Sequence, residues 1–191
     1  MRILILLGSL LTALGLTGCV SGPVPSDRLG ARTELSLETF FEGRTYAYGV
    51  FERGNVLDRR LWVEIDGNWD NASQTLTLDE HFIYDDGETQ RRTWTMRRVA
   101  PNRFVATAPD VNGDVDLQTF GDAGFFNYLV DLQLSDGSSV EVRFEDRLYQ
   151  MSERVMLNRA TVSKFGLTLG EVAFVFLKDR PADWPDVPRS N

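Results

Sequence analysis

The residues that could do chemistry are few. His81 is the only histidine and Cys19 the only cysteine in 191 residues. His81 shares a strand face with Asp79 and Asp85 and opposes Glu80, a pattern better suited to a surface histidine among acids than to a general base. Neither G-x-S-x-G nor H-E-x-x-H occurs, so no catalytic residue is assigned and no cofactor is expected. Asp110-Val111-Asn112-Gly113-Asp114-Val115-Asp116 has the look of a calcium loop. That loop needs glycine at its sixth position and an acid at its twelfth. Here those positions hold Val115 and Gly121, so the segment reads as a turn between strands, and no metal ligand set is assigned.

Two polar pairs among apolar neighbours carry more information. Around Asp85-Asp86-Gly87, a three-residue loop whose glycine can supply the left-handed position of a G1 bulge, two alternating runs flank a hairpin. Tyr84 then faces Glu88, which places Leu76 opposite Met96, Leu78 opposite Trp94, Glu80 opposite Arg92, and Phe82 opposite Gln90. A slip by one residue would put Leu78 and Trp94 on opposite faces. Glu80 and Arg92 therefore form an expected cross-strand ion pair, with Leu78, Phe82, Trp94 and Met96 on the same face. A second pair is expected further on. Asp146 alternates with Val142, Phe144 and Leu148, Asn158 with Met156, Ala160 and Val162, and a Met151–Arg154 turn brings the two roughly opposite. A buried charge needs a partner. The pairs either specify register and closure only, or line a polar floor in an apolar cavity and orient a ligand head group. The candidate ligand-binding set is Glu80, Arg92, Phe82, Trp94, Trp69, Asp146 and Asn158.

Cys19 carries a different chemistry. Met1-Arg2 is a minimal positive start, and Ile3 to Leu16 is an apolar stretch shorter than the ~20 residues of a transmembrane helix. It runs into Leu16-Thr17-Gly18-Cys19, which resembles a bacterial lipobox. The expectation is a signal peptide over 1–18 and an acylated Cys19 as mature N-terminus. Each buried CH₂ adds ~0.8 kcal/mol, so several acyl chains hold a protein on a bilayer essentially permanently. Val20 stands where an aspartate would suggest inner-membrane retention. By analogy the expected location is the inner leaflet of the outer membrane, facing the periplasm.

The elements that must position these residues are nearly all strands. Residues 19–36, rich in Ser, Gly and Pro from Val20 to Thr33, read as the lipidated cysteine and a flexible tether. Ser36 could cap a short helix with Leu37, Phe40 and Phe41 on one side, closed by a left-handed Gly43; a turn leading straight into a strand is the alternative. From Thr45 about ten strands follow, separated by turns every 8–14 residues. In the second of them Leu61, Val63, Ile65 and Trp69 share a face. This spacing argues one all-β domain over 37–178, an antiparallel meander that closes into a barrel and so removes exposed edges. Residues 179–191, with Pro181, Pro185 and Pro188, are expected to be loosely ordered.

Composition sets the outer limits. Hydrophobic residues make up 42% and charged residues 25%, ordinary for a globular domain. The net charge is −8, and removal of residues 1–18 takes one arginine, leaving 19 basic against 28 acidic residues, or −9. That balance argues against nucleic acid as a partner and against attraction to anionic head groups.

Leu78-Asp79-Glu80-His81-Phe82-Ile83-Tyr84-Asp85-Asp86-Gly87-Glu88 with Arg92-Thr93-Trp94 resembles the signature of a bacterial lipoprotein family of unassigned function. Phe40-Phe41-Glu42-Gly43, Gly67-Asn68-Trp69 and Asn158-Arg159-Ala160 with Lys164-Phe165-Gly166 match further blocks. The likeness spans about Leu37 to Lys178. It departs at Arg147-Leu148, where the family shows an aromatic residue and a methionine. The resemblance implies a lipocalin-like barrel and supplies neither ligand nor catalytic residue. The expected function is an outer-membrane-anchored module holding a lipid or other apolar small molecule. The alternatives are a lipid-modifying enzyme using Glu80 or Asp146, or a structural envelope lipoprotein with a packed barrel.

Overall fold

A computed structural model describes residues 34–54, 56–133 and 137–185. Cys19, the expected signal peptide and the expected tether as far as residue 33 lie outside these residues, as does the end of the tail from residue 186. Among the described residues, ten strands follow one short helix: α1 (Leu37–Phe41), β1 (Gly43–Arg53), β2 (Val56–Asp70), β3 (Thr75–Tyr84), β4 (Thr89–Ala100), β5 (Arg103–Thr107), β6 (Val115–Phe120), β7 (Ala123–Gln133), β8 (Ser139–Ser152), β9 (Val155–Lys164) and β10 (Leu167–Leu177). Each strand pairs antiparallel with the next, and β10 returns to β1, closing the barrel. Closure leaves no long edge exposed.

The β3–β4 hairpin has the expected register. Leu76, Leu78, Glu80 and Phe82 oppose Met96, Trp94, Arg92 and Gln90. Tyr84 N–H donates to the Glu88 carbonyl at 2.9 Å and Gly87 N–H to the Tyr84 carbonyl at 3.0 Å, with Gly87 at φ +88°. The β8–β9 turn is tighter than expected. β8 continues to Ser152, leaving two turn residues and a bulge at Gln150/Ser152, so Asp146 opposes Ala160 and Asn158 opposes Leu148.

The helix forms where the Leu37/Phe40/Phe41 pattern places it, and it plugs one end of the barrel. All three side chains are buried. The Ser36 hydroxyl bonds to the Thr39 hydroxyl at 2.8 Å rather than capping a backbone N–H. Gly43 takes the left-handed turn into β1 with φ +79°. Glu42 Oε2 accepts from Trp69 N–H at 2.7 Å. A Cβ at Gly67 would lie on the Phe41 carbonyl, so β2 can pass beneath the helix only as glycine. Two of the sequence blocks noted above, Phe40–Gly43 and Gly67–Trp69, are thus two sides of one contact. The packed core, with Leu37, Phe40, Ile65, Leu76 and Leu117 almost fully buried, sits at this closed end.

The start of the proline-bearing tail is docked against the barrel wall, contrary to the expectation of loose order. Trp184 packs edge-on against Tyr46 and Tyr48 and donates its indole N–H to Glu64 at 3.0 Å. Asp183 accepts from the Tyr48 hydroxyl at 2.9 Å. The outward aromatic pair of β1 gives the tail an apolar seat that the tail sequence alone does not reveal.

Candidate functional site

The inward faces above the helix plug surround a cavity of about 700 Å³, within the range of small-molecule sites. Leu37 and Phe41 form its floor. Leu78, Phe82, Trp94, Phe126, Val172 and Phe174 are among its apolar walls. A belt of polar side chains crosses it halfway up: Glu80 from β3, Arg92 from β4, Asp110 from the β5–β6 connection, Tyr128 from β7, Asp146 from β8 and Asn158 from β9.

Glu80 and Arg92 are register partners, but the ion pair of Arg92 is with Asp110, Nη2 to Oδ2 at 2.9 Å. This corrects the expected Glu80–Arg92 salt bridge, and the cause lies in the wall. β4 pairs with β5 only from Thr95↔Thr107 toward the closed end. Mouthward of that point the β5–β6 connection takes over. Val111 bridges to Val130, and Asn112 N–H donates to the Leu129 carbonyl at 2.9 Å. Asp110 is thereby carried beside the unpaired stretch of β4, within reach of Arg92. The segment with a superficial calcium-loop pattern is a turn that supplies one inward carboxylate.

Asn158 and Asp146 meet as expected, Nδ2 donating to Oδ1 at 2.7 Å in a buried setting, although their positions are offset by two residues. Tyr128 lies beside the same carboxyl group. Phe126, Tyr128 and Phe144 stack in a row at 5.5 Å between centroids, with Trp94 edge-on to Tyr128 at 5.3 Å.

Burial pushes the Glu80 carboxyl up to about 7; Arg92 pulls it down, and Asp110 and Asp146 add to the rise. Burial likewise carries Asp146 up to about 6, against the hydrogen bond from Asn158, the neighbouring Tyr128 and the charge of Arg92. Tyr128 is held well above the usual phenol range by burial and by Asp146. Burial opposes the charge of Arg92, but Glu80, Tyr128 and Asp110 outweigh it and hold the guanidinium above its ordinary value. For Glu80, burial is a larger effect than the opposing charge of Arg92.

The belt has polar atoms to spare. Glu80 Oε2, Asp110 Oδ1, Asp146 Oδ2 and Arg92 Nε are buried without a hydrogen-bond partner. Buried polar atoms are nearly always satisfied, so four on one belt mark a place built to meet something polar.

Of the candidate ligand-binding residues, Glu80, Arg92, Phe82, Trp94, Asp146 and Asn158 line the cavity. Trp69 does not. It lies at the closed end, where its ring takes the Arg98 guanidinium at 4.9 Å while its backbone N–H donates to the Glu42 carboxylate. Trp69 shares the inward face of β2 with Val63 and Ile65, but the helix plug covers that part of the face. Leu148, at the departure from the family pattern, lines the cavity; Arg147 opposes Arg159 on the outer surface. His81 also faces outward, opposite Glu64 and Arg91, and burial and Arg91 hold it below its usual value. Sequence reading missed Asp110, Tyr128 and the Phe126–Phe144 row. The alternation of Phe126 and Tyr128 within β7 was a usable signal, whereas Asp110 offered none. Among the described residues, no group of three or more His, Cys, Asp or Glu is arranged to hold a metal ion.

A ten-stranded antiparallel meander, closed, plugged by one helix and hollow above it, defines a lipocalin-like barrel. Solved structures share the architecture at low identity. The S-type phycobiliprotein lyase CPES from Guillardia theta matches with a TM-score of 0.53 and 10% identity, over 77% of this chain and 94% of that one. Rv2717c from M. tuberculosis matches with a TM-score of 0.53 and 14% identity, over 77% and 100%. A DUF3598-family protein from Nostoc punctiforme matches with a TM-score of 0.51 and 13% identity, over 76% of this chain and half of that one. No curated protein matches. The chain belongs to the family described as protein of unknown function (DUF3833), which matches residues 13–178.

Proposed function

We propose that this protein is a lipoprotein binding module, holding a lipid or other apolar small molecule in its barrel while acyl chains on Cys19 anchor it to the outer membrane, facing the periplasm. The observation that carries the binding reading is the cavity itself: about 700 Å³, apolar over most of its wall, crossed by one polar belt. A barrel serving only as a structural unit would be filled by side chains, as the closed end of this one is. Glu80, Arg92, Asp146 and Asn158 orient the head group; Phe82 and Trp94 contact the apolar part. The anchor rests on the Leu16–Cys19 pattern after a short apolar stretch, which falls within the residues matched by the family.

Mass spectrometry of small molecules co-purifying with the folded protein tests the first half. A defined apolar species at near-stoichiometric yield is expected, and a barrel free of any such species under several expression conditions would argue for a purely structural role. Intact mass of the membrane-extracted protein tests the second half. Residues 19–191 plus acyl chains are expected, with Cys19→Ala releasing the folded domain from the membrane. An unmodified Cys19 thiol would overturn it.

One observation favours a second reading. Two buried carboxyls with raised pKa in one cavity are what general acid–base chemistry on a bound lipid requires. Turnover of a bound lipid that is lost in Glu80→Gln or Asp146→Asn would move the protein from carrier to enzyme.

A further inference from the structure

The charge of the belt says which head group it can hold. Three arginines and six acidic residues line the cavity. Each arginine is already paired: Arg53 with Asp58 at 3.0 Å, Arg59 with Asp86 and Glu88 at 2.6 and 2.9 Å, and Arg92 with Asp110 at 2.9 Å. Glu80, Asp131 and Asp146 are left with no lysine or arginine in ion-pair reach among the described residues.

The unpartnered atoms point the same way. Three of the four on the belt are carboxylate oxygens, which accept, and only Arg92 Nε donates. Asp146 is the decisive one. It is 7% exposed, lines the cavity, and has Oδ1 engaged by Asn158 while Oδ2 has no partner. Beside it, Tyr128 is flanked on both sides by stacked rings, with Trp94 edge-on. This aromatic wall lowers the local dielectric around the surplus carboxylates and so strengthens their attraction for a cation. An anionic head group would meet three carboxylates, with an arginine already committed to one of them.

We infer that the belt of Glu80, Asp110, Asp146 and Tyr128 is a site for a protonated amine, and that the ligand is an amphiphile with an ammonium head and an apolar tail. The inference rests on the binding reading above and narrows it. An ammonium on the belt gives its N–H donors to Glu80 Oε2 and Asp146 Oδ2 and stabilises both carboxylates in their charged form. Arg92 remains on Asp110. The tail has two apolar directions, toward Leu37 and Phe41 at the floor or toward Phe82 and Phe174 nearer the mouth.

The test uses the full chain carrying Cys19→Ala and three ligands with the same ten-carbon tail: decylamine, decanol and decanoate. Each competes with a neutral naphthylamine fluorophore for the cavity at pH 7.5. The expected order is decylamine tighter than decanol, decanol tighter than decanoate, with at least tenfold between the first and the last. In the double variant Glu80→Gln/Asp146→Asn, decylamine should lose at least tenfold in affinity and no longer bind tighter than decanol. Equal affinities for the three wild-type ligands, or a preference for decanoate, would overturn the amine site and leave the apolar-binding reading standing. Failure of decanol and the fluorophore to bind at all would overturn both. The wild-type ligand series decides the matter even if the double variant does not fold.

Discussion

Two arginines six residues apart on the same face of β4 meet different fates. Arg98, at the closed end, forms an ion pair with Glu38 of the helix and lies over the rings of Trp69 and Phe104 at 4.9 and 5.1 Å. Arg92, midway up, pairs with Asp110 and lies over Phe82 and Trp94 at 5.5 and 5.9 Å. Each guanidinium meets one acid and two aromatic rings, and each leaves its Nε unpartnered. The difference is what else is near. Arg98 has one acid and a helix packed over it, so its charge is spent on holding the plug. Arg92 shares its surroundings with Glu80 and Asp146, which its charge does not fully offset, and it faces open volume. The same side chain latches the helix where charges balance and the space is filled, and lines an open cavity where acids exceed cations.

The most damaging way to break the contrast is at the latch end. Gly67→Ala puts a methyl group on the Phe41 carbonyl, so the helix must lift off. A loss of roughly 4 kcal/mol in urea unfolding is expected, at the upper end of single-site effects. A loss below about 1 kcal/mol would mean that the plug is not rigidly seated.

At the belt, Arg92→Met should cost about 3 kcal/mol at pH 8, because it strands carboxylates that cannot reach water freely. The double variant Arg92→Met/Asp110→Asn should recover much of that loss. Recovery with Glu80→Gln instead of Asp110→Asn would show that the cross-strand neighbour, not Asp110, is the true partner.

The pH dependence separates the two ends by sign. Glu80 has a folded value near 7 against an ordinary 4.5. Between those values the folded protein holds a proton that the unfolded chain has released, so stability falls as pH rises. Wild type should lose roughly 2–3 kcal/mol between pH 5 and pH 8 from this group, and Glu80→Gln should remove that loss. Asp146, raised to about 6, contributes in the same direction at the lower end of the range. Glu38 behaves oppositely. Burial raises it, but the hydrogen bond and charge of Arg98 prevail and hold it below 4.5. Its stabilisation is present above the ordinary value and is lost only as the medium turns more acidic. Arg98→Met should therefore cost about 2 kcal/mol, steady from pH 5 to pH 8. A common slope in both variants would show that the two sites are not electrostatically distinct.

The smallest effect is expected at the β9–β10 tip. Phe165 is 93% exposed with φ +51°, a backbone that asparagine tolerates better than phenylalanine. Phe165→Asn should stabilise by less than about 1 kcal/mol and leave ligand binding unchanged. A loss of binding would bring the tip into the site and enlarge the region set against the latch.

Most features that depend on neighbours along the chain or across one hairpin were legible in the sequence; the ion-pair partner of Arg92 and the length of the β8–β9 turn were not. The strand alternation, the Gly87 bulge and the β3–β4 register are local, because a period of two and a fixed turn length leave little freedom. The same locality made Leu37, Phe40 and Phe41 legible as one face of a helix, and brought Asp146 and Asn158 together despite a misjudged turn. Closure, the path of the connections and the filling of space were decided in three dimensions. Asp110 reaches Arg92 only because β5 and β6 are short and the segment between them runs along β7. Trp69 leaves the site only because the helix covers that end, and Trp184 finds its seat only on the aromatic pair of a strand more than a hundred residues earlier. The raised carboxyls of Glu80 and Asp146 belong to the same class. Charge type is written in the chain, but desolvation is a property of everything packed around it, and that exists only once the barrel has closed.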